Sequence, residues 1–320
     1  MSKWDIAIKI TVVFVILILF LLFRISTIDF HCTPADPGLS YCRLNNASPR
    51  FLEGLAALFS EATQVQIGAK VALTIPNLIT PAQSDRAAQL AAKIYSEMDQ
   101  DPNWAFAHSS LGYTYESILH ISEEPNQYFV YIPPHDRSVK LPVLLFLHGY
   151  SGNFTSYLYL LAKAADDAQF AIIAPTYKQG TWNQEAIPFV KKVINEAGNK
   201  FPIDTSHLTL MGISNGGLIL SSVIPEFTNQ LRNVVFLSTY MELGQYTTPT
   251  VLGVLQNVNT VAIIYGENDD RIEVHNLATK VQKLRENGVN AINIAVPDED
   301  HFLFFSQPDK VLNELTNLQF

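Results

Sequence analysis

Residues Leu208–Leu220 read LTLMGISNGGLIL: an apolar run, a pivot of small residues, then a second apolar run. HLTLMGIS, 207–214, has the look of a buried strand, and GGLILSSVIP that of a helix. Ser214 stands at the pivot with Gly212 and Gly216 two residues to either side. A sharp strand-to-helix turn needs glycine there, because the backbone passes close to a neighbouring strand and helix where a side chain would collide. The helix N-terminus behind the turn offers free N–H groups and a positive dipole end. Gly-x-Ser-x-Gly is common by chance. At a strand-to-helix junction of an alternating sheet it makes Ser214 a candidate nucleophile.

Such a sheet is legible around it. YFVYIPP (128–134), PVLLFLHG (142–149), FAIIAPTY (170–177), NVVFLSTY (233–240), NTVAIIYG (259–266) and AINIAVPD (291–298) read as strands. Between them SYLYLLAKAADDA, QEAIPFVKKVINEAG and IEVHNLATKVQKLRENG carry helical spacing, and DKVLNELTNL closes the chain as a helix. Pro188 falls near a first helical turn, where proline is tolerated. Strands apolar throughout and alternating with helices call for a mainly parallel sheet covered on both faces. In such a sheet chemistry belongs outside the carboxyl ends of the strands.

A serine hydroxyl needs a base near neutral pH. Two histidines follow Ser214: His275 inside an amphipathic helix and His301 in the strand-end loop PDEDHF. Placement favours His301. The acid that would hold its tautomer belongs in IIYGENDDRI, where Asp269 comes three residues after Gly266. Asp270 is the runner-up and Glu267 a further carboxylate, while Asp298, Glu299 and Asp300 read as solvent-facing loop charges. The N–H of Asn215 is one expected oxyanion donor, and that of Tyr150, freed by the turn at Gly149, the second. His148 reads as a structural brace.

The tracts FLHGYSGN, IDTSHLTLMGISNGG, GENDDRI and DEDHF, in that order, resemble the α/β-hydrolase superfamily over roughly residues 126–320. IDTSHLTLMGISNGG is most similar to extracellular or periplasmic esterases related to polyhydroxybutyrate depolymerases and feruloyl esterases, with prolyl-oligopeptidase-like peptidases more distant. The resemblance implies an α/β-hydrolase fold, with a mainly parallel central sheet and helices on both faces. It also implies a Ser214–His301–Asp269 triad acting on a small-molecule or polymeric ester through an acyl-enzyme, with no metal or organic cofactor. It does not reach residues 1–110. Only eighteen residues separate Tyr240 from Asn259, too few for a large cap after that strand. The loop YKQGTWNQEA and the amino-terminal region are left to shape the site, and Trp182, Tyr150, Tyr240 and Phe302 are candidate pocket aromatics.

The amino-terminal part has another character. Ile6–Phe23, IAIKITVVFVILILFLLF, holds one charge, Lys9, in eighteen residues. A helix of that length nearly crosses a hydrocarbon core of roughly 30 Å. Trp4 and Arg24 flank it as interfacial anchors would. No small-x-small cleavage pattern follows directly, so the expectation is an uncleaved signal anchor over residues 1–24 rather than a signal peptide. Residues 25–50 read as a tether containing the only two cysteines, Cys32 and Cys42, spaced to close a small disulfide loop. Disulfides persist in oxidising compartments, which places the bulk of the chain outside the cytoplasm, in periplasm or lumen. Asn46-Ala-Ser and Asn153-Phe-Thr fit the glycosylation sequon. Residues 51–112 form a helical extension: one helix over 51–65, a second over 84–99 capped by Ser84, and DPNWAFAHSSLGYTY, 101–115, like half a tetratricopeptide repeat with a possible protein contact. VQIGAKVALTIPNLITP between the helices has no assignment. Residues 113–320 form the sheet-bearing domain.

With 21 Lys+Arg against 30 Asp+Glu, a net charge of −9 and no basic cluster, the chain is no nucleic-acid binder. The leading expectation is a membrane-anchored, extracytoplasmic serine ester hydrolase. A peptidase with the same machinery is one alternative. A non-catalytic hydrolase-fold binding protein is the other, disfavoured by the complete triad.

Overall fold

The computed structural model describes residues 11–16, 18–19, 32, 34–48, 51–71, 79–104, 109–121, 124–318 and 320. Eight strands form one sheet: β1 (Gly38–Arg43), β2 (Gln127–Ile132), β3 (Leu141–Leu147), β4 (Ala171–Pro175), β5 (Ile203–Ile213), β6 (Leu231–Leu237), β7 (Thr260–Gly266) and β8 (Ala291–Val296). Their order is β1-β2-β4-β3-β5-β6-β7-β8. β2 runs antiparallel to both neighbours, and every pairing from β4 to β8 is parallel. A parallel neighbour requires a crossover, and a right-handed crossover helix packs back onto the sheet, so both faces become covered.

Alternate residues of each central strand feed opposite cores. Val143, Leu145 and Leu147 of β3 join one, with Leu210 of β5 and Ile263 of β7. Leu144 and Phe146 join the other, with Met211, Ile213 and Ile264. Helices Ala186–Lys200 and Val274–Glu286 cover the first face, and Thr155–Ala168 and Pro308–Thr316 the second. Each Leu, Ile or Phe so buried contributes roughly 1.5–3 kcal/mol.

The amino-terminal extension belongs to this second core. Ala91, Ile94, Tyr95 and Met98 of helix Pro81–Met98 are buried with Leu158, Leu161 and Phe146. Trp104 stacks on Tyr131 and meets Tyr159 edge-on, at 5.7 and 5.4 Å between ring centres. The Glu61 carboxylate joins three helices: Tyr95 donates to its Oε1 at 2.5 Å, and Thr155 donates its N–H at 2.7 Å and its hydroxyl at 2.5 Å. Thr155 opens a 14-residue helix, so the carboxyl sits at a positive dipole end, while its burial pushes its pKa up.

Several amino-terminal expectations change. Residues 38–43 are not tether: they form the edge strand β1, whose Tyr41–Arg43 are buried against β2. The helix expected over 51–65 is two, Phe51–Ala56 and Glu61–Val71, because the chain turns at residues 57–60. Val65–Val71 of the unassigned stretch lie in the second of these. Thr80, not Ser84, caps helix Pro81–Met98, through a capping box with Gln83, and Ser84 Oγ donates instead to Ala69 O. Within DPNWAFAHSSLGYTY, 102–104 are a turn and Leu111–Ile118 one short helix, and residues 105–108 lie outside the described residues. The boundary at 112–113 falls inside that helix. Cys32 and Cys42 are joined by a disulfide. Asn153 is fully buried, its amide donating to Ala174 O and Thr176 Oγ1, which closes that sequon to glycosylation in the folded protein.

The membrane segment expected over 6–23 lies largely outside the described residues. Residues 11–16 and 18–19 are helical, and no described helix is long and apolar enough to cross a membrane.

Arg43 and Glu53 form an ion pair between β1 and helix Phe51–Ala56, their side chains 2% and 1% exposed, and Gln127 donates to the same carboxylate. Removing one member strands a buried charge. Glu53→Ala is therefore expected to lower the urea-unfolding free energy by about 3–5 kcal/mol.

Candidate active site

Ser214 follows β5 with φ 49° and ψ −120°, a left-handed conformation that few side chains adopt. Local bonds hold it there. Its N–H donates to Leu237 O at 2.9 Å, and its carbonyl accepts from Gly217 N–H at 2.9 Å and Thr239 Oγ1 at 2.7 Å. The flanking glycines have a measurable reason. A methyl group at Gly216 would strike the carbonyls of Leu147 and His148 at the end of β3, and one at Gly212 would strike the backbone of Gly216 and Gly217.

The end of β5 meets the ends of β7 and β8. Ser214 Oγ is 2.9 Å from His301 Nε2, and His301 Nδ1 is 2.8 Å from Asp269 Oδ2. A carboxylate only accepts, so the proton sits on Nδ1 and Nε2 is left as the acceptor of the serine hydroxyl. The Asp269 side chain is 0% exposed, with its other oxygen accepting the Arg271 N–H at 2.9 Å. The loops that carry acid and imidazole are stitched backbone to backbone: Glu267 N–H donates to Val296 O at 3.0 Å and Asn268 N–H to Glu299 O at 2.8 Å. The arrangement can move a proton from a serine hydroxyl to an imidazole whose far side is held by a dry carboxylate.

Gly149 runs against Ser214: a methyl placed on it would lie 3.5 Å from Ser214 Cβ. The next N–H, of Tyr150, and the N–H of Asn215 have no hydrogen-bond partner among the described residues. Asn215 directly follows Ser214 along the chain, and Tyr150 directly follows Gly149, which lies against that serine.

His148 belongs to the scaffold. It is fully buried, accepts the Tyr177 N–H on Nε2 at 3.1 Å, and so donates from Nδ1 to Gly149 O at 2.8 Å. Burial pushes its pKa down to about 4. Trp182 donates to His148 O at 2.8 Å and stacks near Tyr177 at 5.2 Å, a brace rather than a pocket wall. Tyr240 also lies apart, its ring under Lys280 and its hydroxyl donating to Glu242. Among the other candidates, His275 and Glu267 are exposed on the surface.

One expectation about charge is corrected. Glu299 is buried, not solvent-facing, and pairs with Arg86 at 3.0 Å; Arg86 also reaches Asp300 at 3.2 Å. Asp270 accepts both bonds of the Gln83 amide, at 3.0 Å each. Helix Pro81–Met98 thus grips both loops that present Asp269 and His301. Nothing local in the sequence signals this, since Arg86 and Glu299 are 213 positions apart.

A cavity of about 440 Å³ is bordered by Tyr150 and Phe302, the residues that follow Gly149 and His301. Val65, Gly68 and Ala91 wall it from the extension, and Tyr150, Tyr157 and Phe302 from the sheet domain. Among the described residues no group of three or more His, Cys, Asp or Glu side chains is placed to hold a metal ion.

No protein-family model and no curated protein sequence matches the chain. Solved structures do resemble it. A thermostable esterase aligns over 59% of this chain and 58% of its own, at 16% identity and TM-score 0.48, so this chain spans little more than half of that relative. An S-formylglutathione hydrolase from Agrobacterium tumefaciens aligns over 59% and 89%, at 12% identity and TM-score 0.47. A hyperthermophilic esterase from the archaeon Pyrobaculum calidifontis aligns over 70% and 94%, at 12% identity and TM-score 0.49. The sheet order, the antiparallel β2 and the elbow after β5 are those of the α/β-hydrolase fold.

Two outcomes follow from this geometry. Gly216→Ala is expected to unfold the elbow, with loss of activity and a fall in unfolding free energy of about 3 kcal/mol or more in urea titrations. For His148, the folded pKa lies below the ordinary value near 6.5, so the unfolded chain binds the proton first as pH falls. Its contribution is complete above about pH 6.5 and is lost between there and about pH 4, a decline of roughly 3 kcal/mol. The decline is expected to shrink in His148→Gln.

Proposed function

We propose that this protein is a serine hydrolase of carboxylic esters, with Ser214 as nucleophile, His301 as general base and acid, and Asp269 as the group that orients and stabilises the imidazole. The observation that carries the reading is the continuous Ser214–His301–Asp269 hydrogen-bond chain at the ends of β5, β8 and β7.

In the first half-reaction Ser214 Oγ attacks the ester carbonyl while His301 Nε2 takes its proton. The N–H groups of Tyr150 and Asn215 receive the oxyanion, each worth about 3 kcal/mol in the transition state. The C–O bond to the alcohol breaks, and Nε2–H protonates the leaving oxygen. In the second half Nε2 takes a proton from water, the water oxygen attacks the acyl carbon, and Ser214 leaves with that proton restored. Carboxylic acid and alcohol are the products, with the enzyme regenerated. Asp269 stays ionised throughout and keeps Nε2 facing the serine.

The same reading places residues 1–24 as a membrane anchor and the sheet domain outside the cytoplasm. The apolar run 6–23 supports it, as do the exposed side chains of Val12, Val13, Phe14 and Ile16 and the Cys32–Cys42 disulfide, a bond that persists in oxidising compartments.

A fluorophosphonate probe tests the chemistry. The expected result is one adduct, on Ser214, absent in Ser214→Ala and slowed about 10⁴-fold in Asp269→Asn, where the wrong tautomer faces the serine. An adduct elsewhere, or none, sinks the proposal. Deleting residues 1–24 is expected to move the labelled protein from the membrane to the soluble fraction.

A further inference from the structure

We infer that the cavity between the amino-terminal extension and the sheet domain receives the hydrocarbon chain of the ester, so that the substrate class is esters with a chain of roughly ten carbons. This rests on the hydrolase reading above and names the substrate of that site.

The cavity begins where the chemistry ends. Tyr150 follows Gly149, which lies against Ser214, and Phe302 follows His301; both line the cavity. Ser214 and His301 do not themselves line it, so a chain attached to the reacting carbonyl reaches it past Tyr150 and Phe302. Its volume, about 440 Å³, is that of a small-ligand pocket, commonly about 300–1,000 Å³. At about 30 Å³ for a water, and a methylene of similar size, it holds some ten carbons with space for the ester head.

The walls suit hydrocarbon. Val65, Ala91, Leu111, Phe154 and Phe305 are apolar. Polar residues also line it, among them Gln64, Thr114, Ser151, Ser156 and Gln179, and of these Gln64 is already engaged: Tyr115 donates to its Oε1 at 2.6 Å, and its amide donates to Ala56 O at 2.9 Å and Phe59 O at 3.0 Å. Water gains few partners in such a space, and a methylene chain loses none. The lining residue Ile118 is 50% exposed, beside exposed Leu119 and Ile121, so an apolar rim adjoins the cavity. The interval after β6 carries only two short helices, Leu243–Tyr246 and Pro249–Leu255, so the extension supplies the wall that a cap inserted there would supply.

Gly68 makes the idea testable. It lines the cavity, and a Cβ added to it meets no atom within 4 Å. The space around that Cβ is open, so Gly68→Leu is expected to add bulk to the cavity, in a helix where leucine is the better residue.

Two ester series, one lengthening the acyl part of p-nitrophenyl esters and one the alkyl part of acetates, read which half enters. In one of them kcat/KM is expected to rise about fourfold per methylene up to about ten carbons and then level. Gly68→Leu is expected to bring the break at least two carbons earlier and lower the ten-to-four-carbon ratio at least tenfold. No length dependence in either series, or an unmoved break in a folded Gly68→Leu protein, overturns the inference even where Ser214 is labelled by the fluorophosphonate. Decanoate binding to Ser214→Ala, measured by calorimetry, reads the cavity apart from the chemistry. Binding weakened at least tenfold by Gly68→Leu supports the inference, and no binding overturns it.

Discussion

The turn after β5 packs directly on the end of β3. Gly216 lies on the carbonyls of Leu147 and His148 with no room for a side chain. From that contact much follows. It sets Ser214 at φ 49°, with its hydroxyl outside the strand ends and within 2.9 Å of His301 Nε2. It brings Gly149 against the serine, with Tyr150 next along the chain. His148, neutral and fully buried, ties the β3 loop to Tyr177 after β4, so the two edges of the elbow cannot drift apart.

The second requirement is that three loops from three strands meet within hydrogen-bond tolerance. β5, β7 and β8 are held in parallel register through β6, and parallel register fixes where their ends fall. The loops after β7 and β8 are joined by main-chain bonds, with Gly266 lying against the Glu299 backbone. The imidazole is then oriented by a carboxylate with no exposure to water, where a hydrogen bond is electrostatically stronger than in solvent. Outside this, Arg86 and Gln83 clamp the same loops from the extension. Their pairs are partly solvated, so their worth lies in restricting loop geometry more than in energy.

The extension thus does three things at once. It completes one hydrophobic face of the sheet, it grips the acid and imidazole loops, and it walls the cavity bordered by Tyr150 and Phe302. Ile94, Tyr95 and Met98 of the extension share one buried cluster with Phe146, Leu158 and Leu161 of the sheet domain. The buried Glu61 and the Arg43–Glu53 pair mark where its first helices are keyed to the rest by charge rather than by apolar contact alone.

The central strands were legible because burial on both faces writes itself as unbroken apolar runs, and the elbow because close packing demands glycine at two particular positions. Ser214, His301 and Asp269 could be selected from the sequence since strand ends are the places where a parallel sheet presents side chains. β1 was not legible: it is an edge strand in a segment rich in turn formers, and only pairing with β2, some ninety residues later, makes it a strand. The burial of Glu299, its pairing with Arg86 and the cavity were likewise closed to sequence reading. They depend on which surfaces the extension and the sheet turn towards each other, and no local pattern encodes a contact across 213 residues. The sequence by itself determined the sheet, the elbow and the candidate triad, because periodicity and steric need act over a few residues. Tertiary structure alone decided what encloses the site, because enclosure is a property of two surfaces brought together.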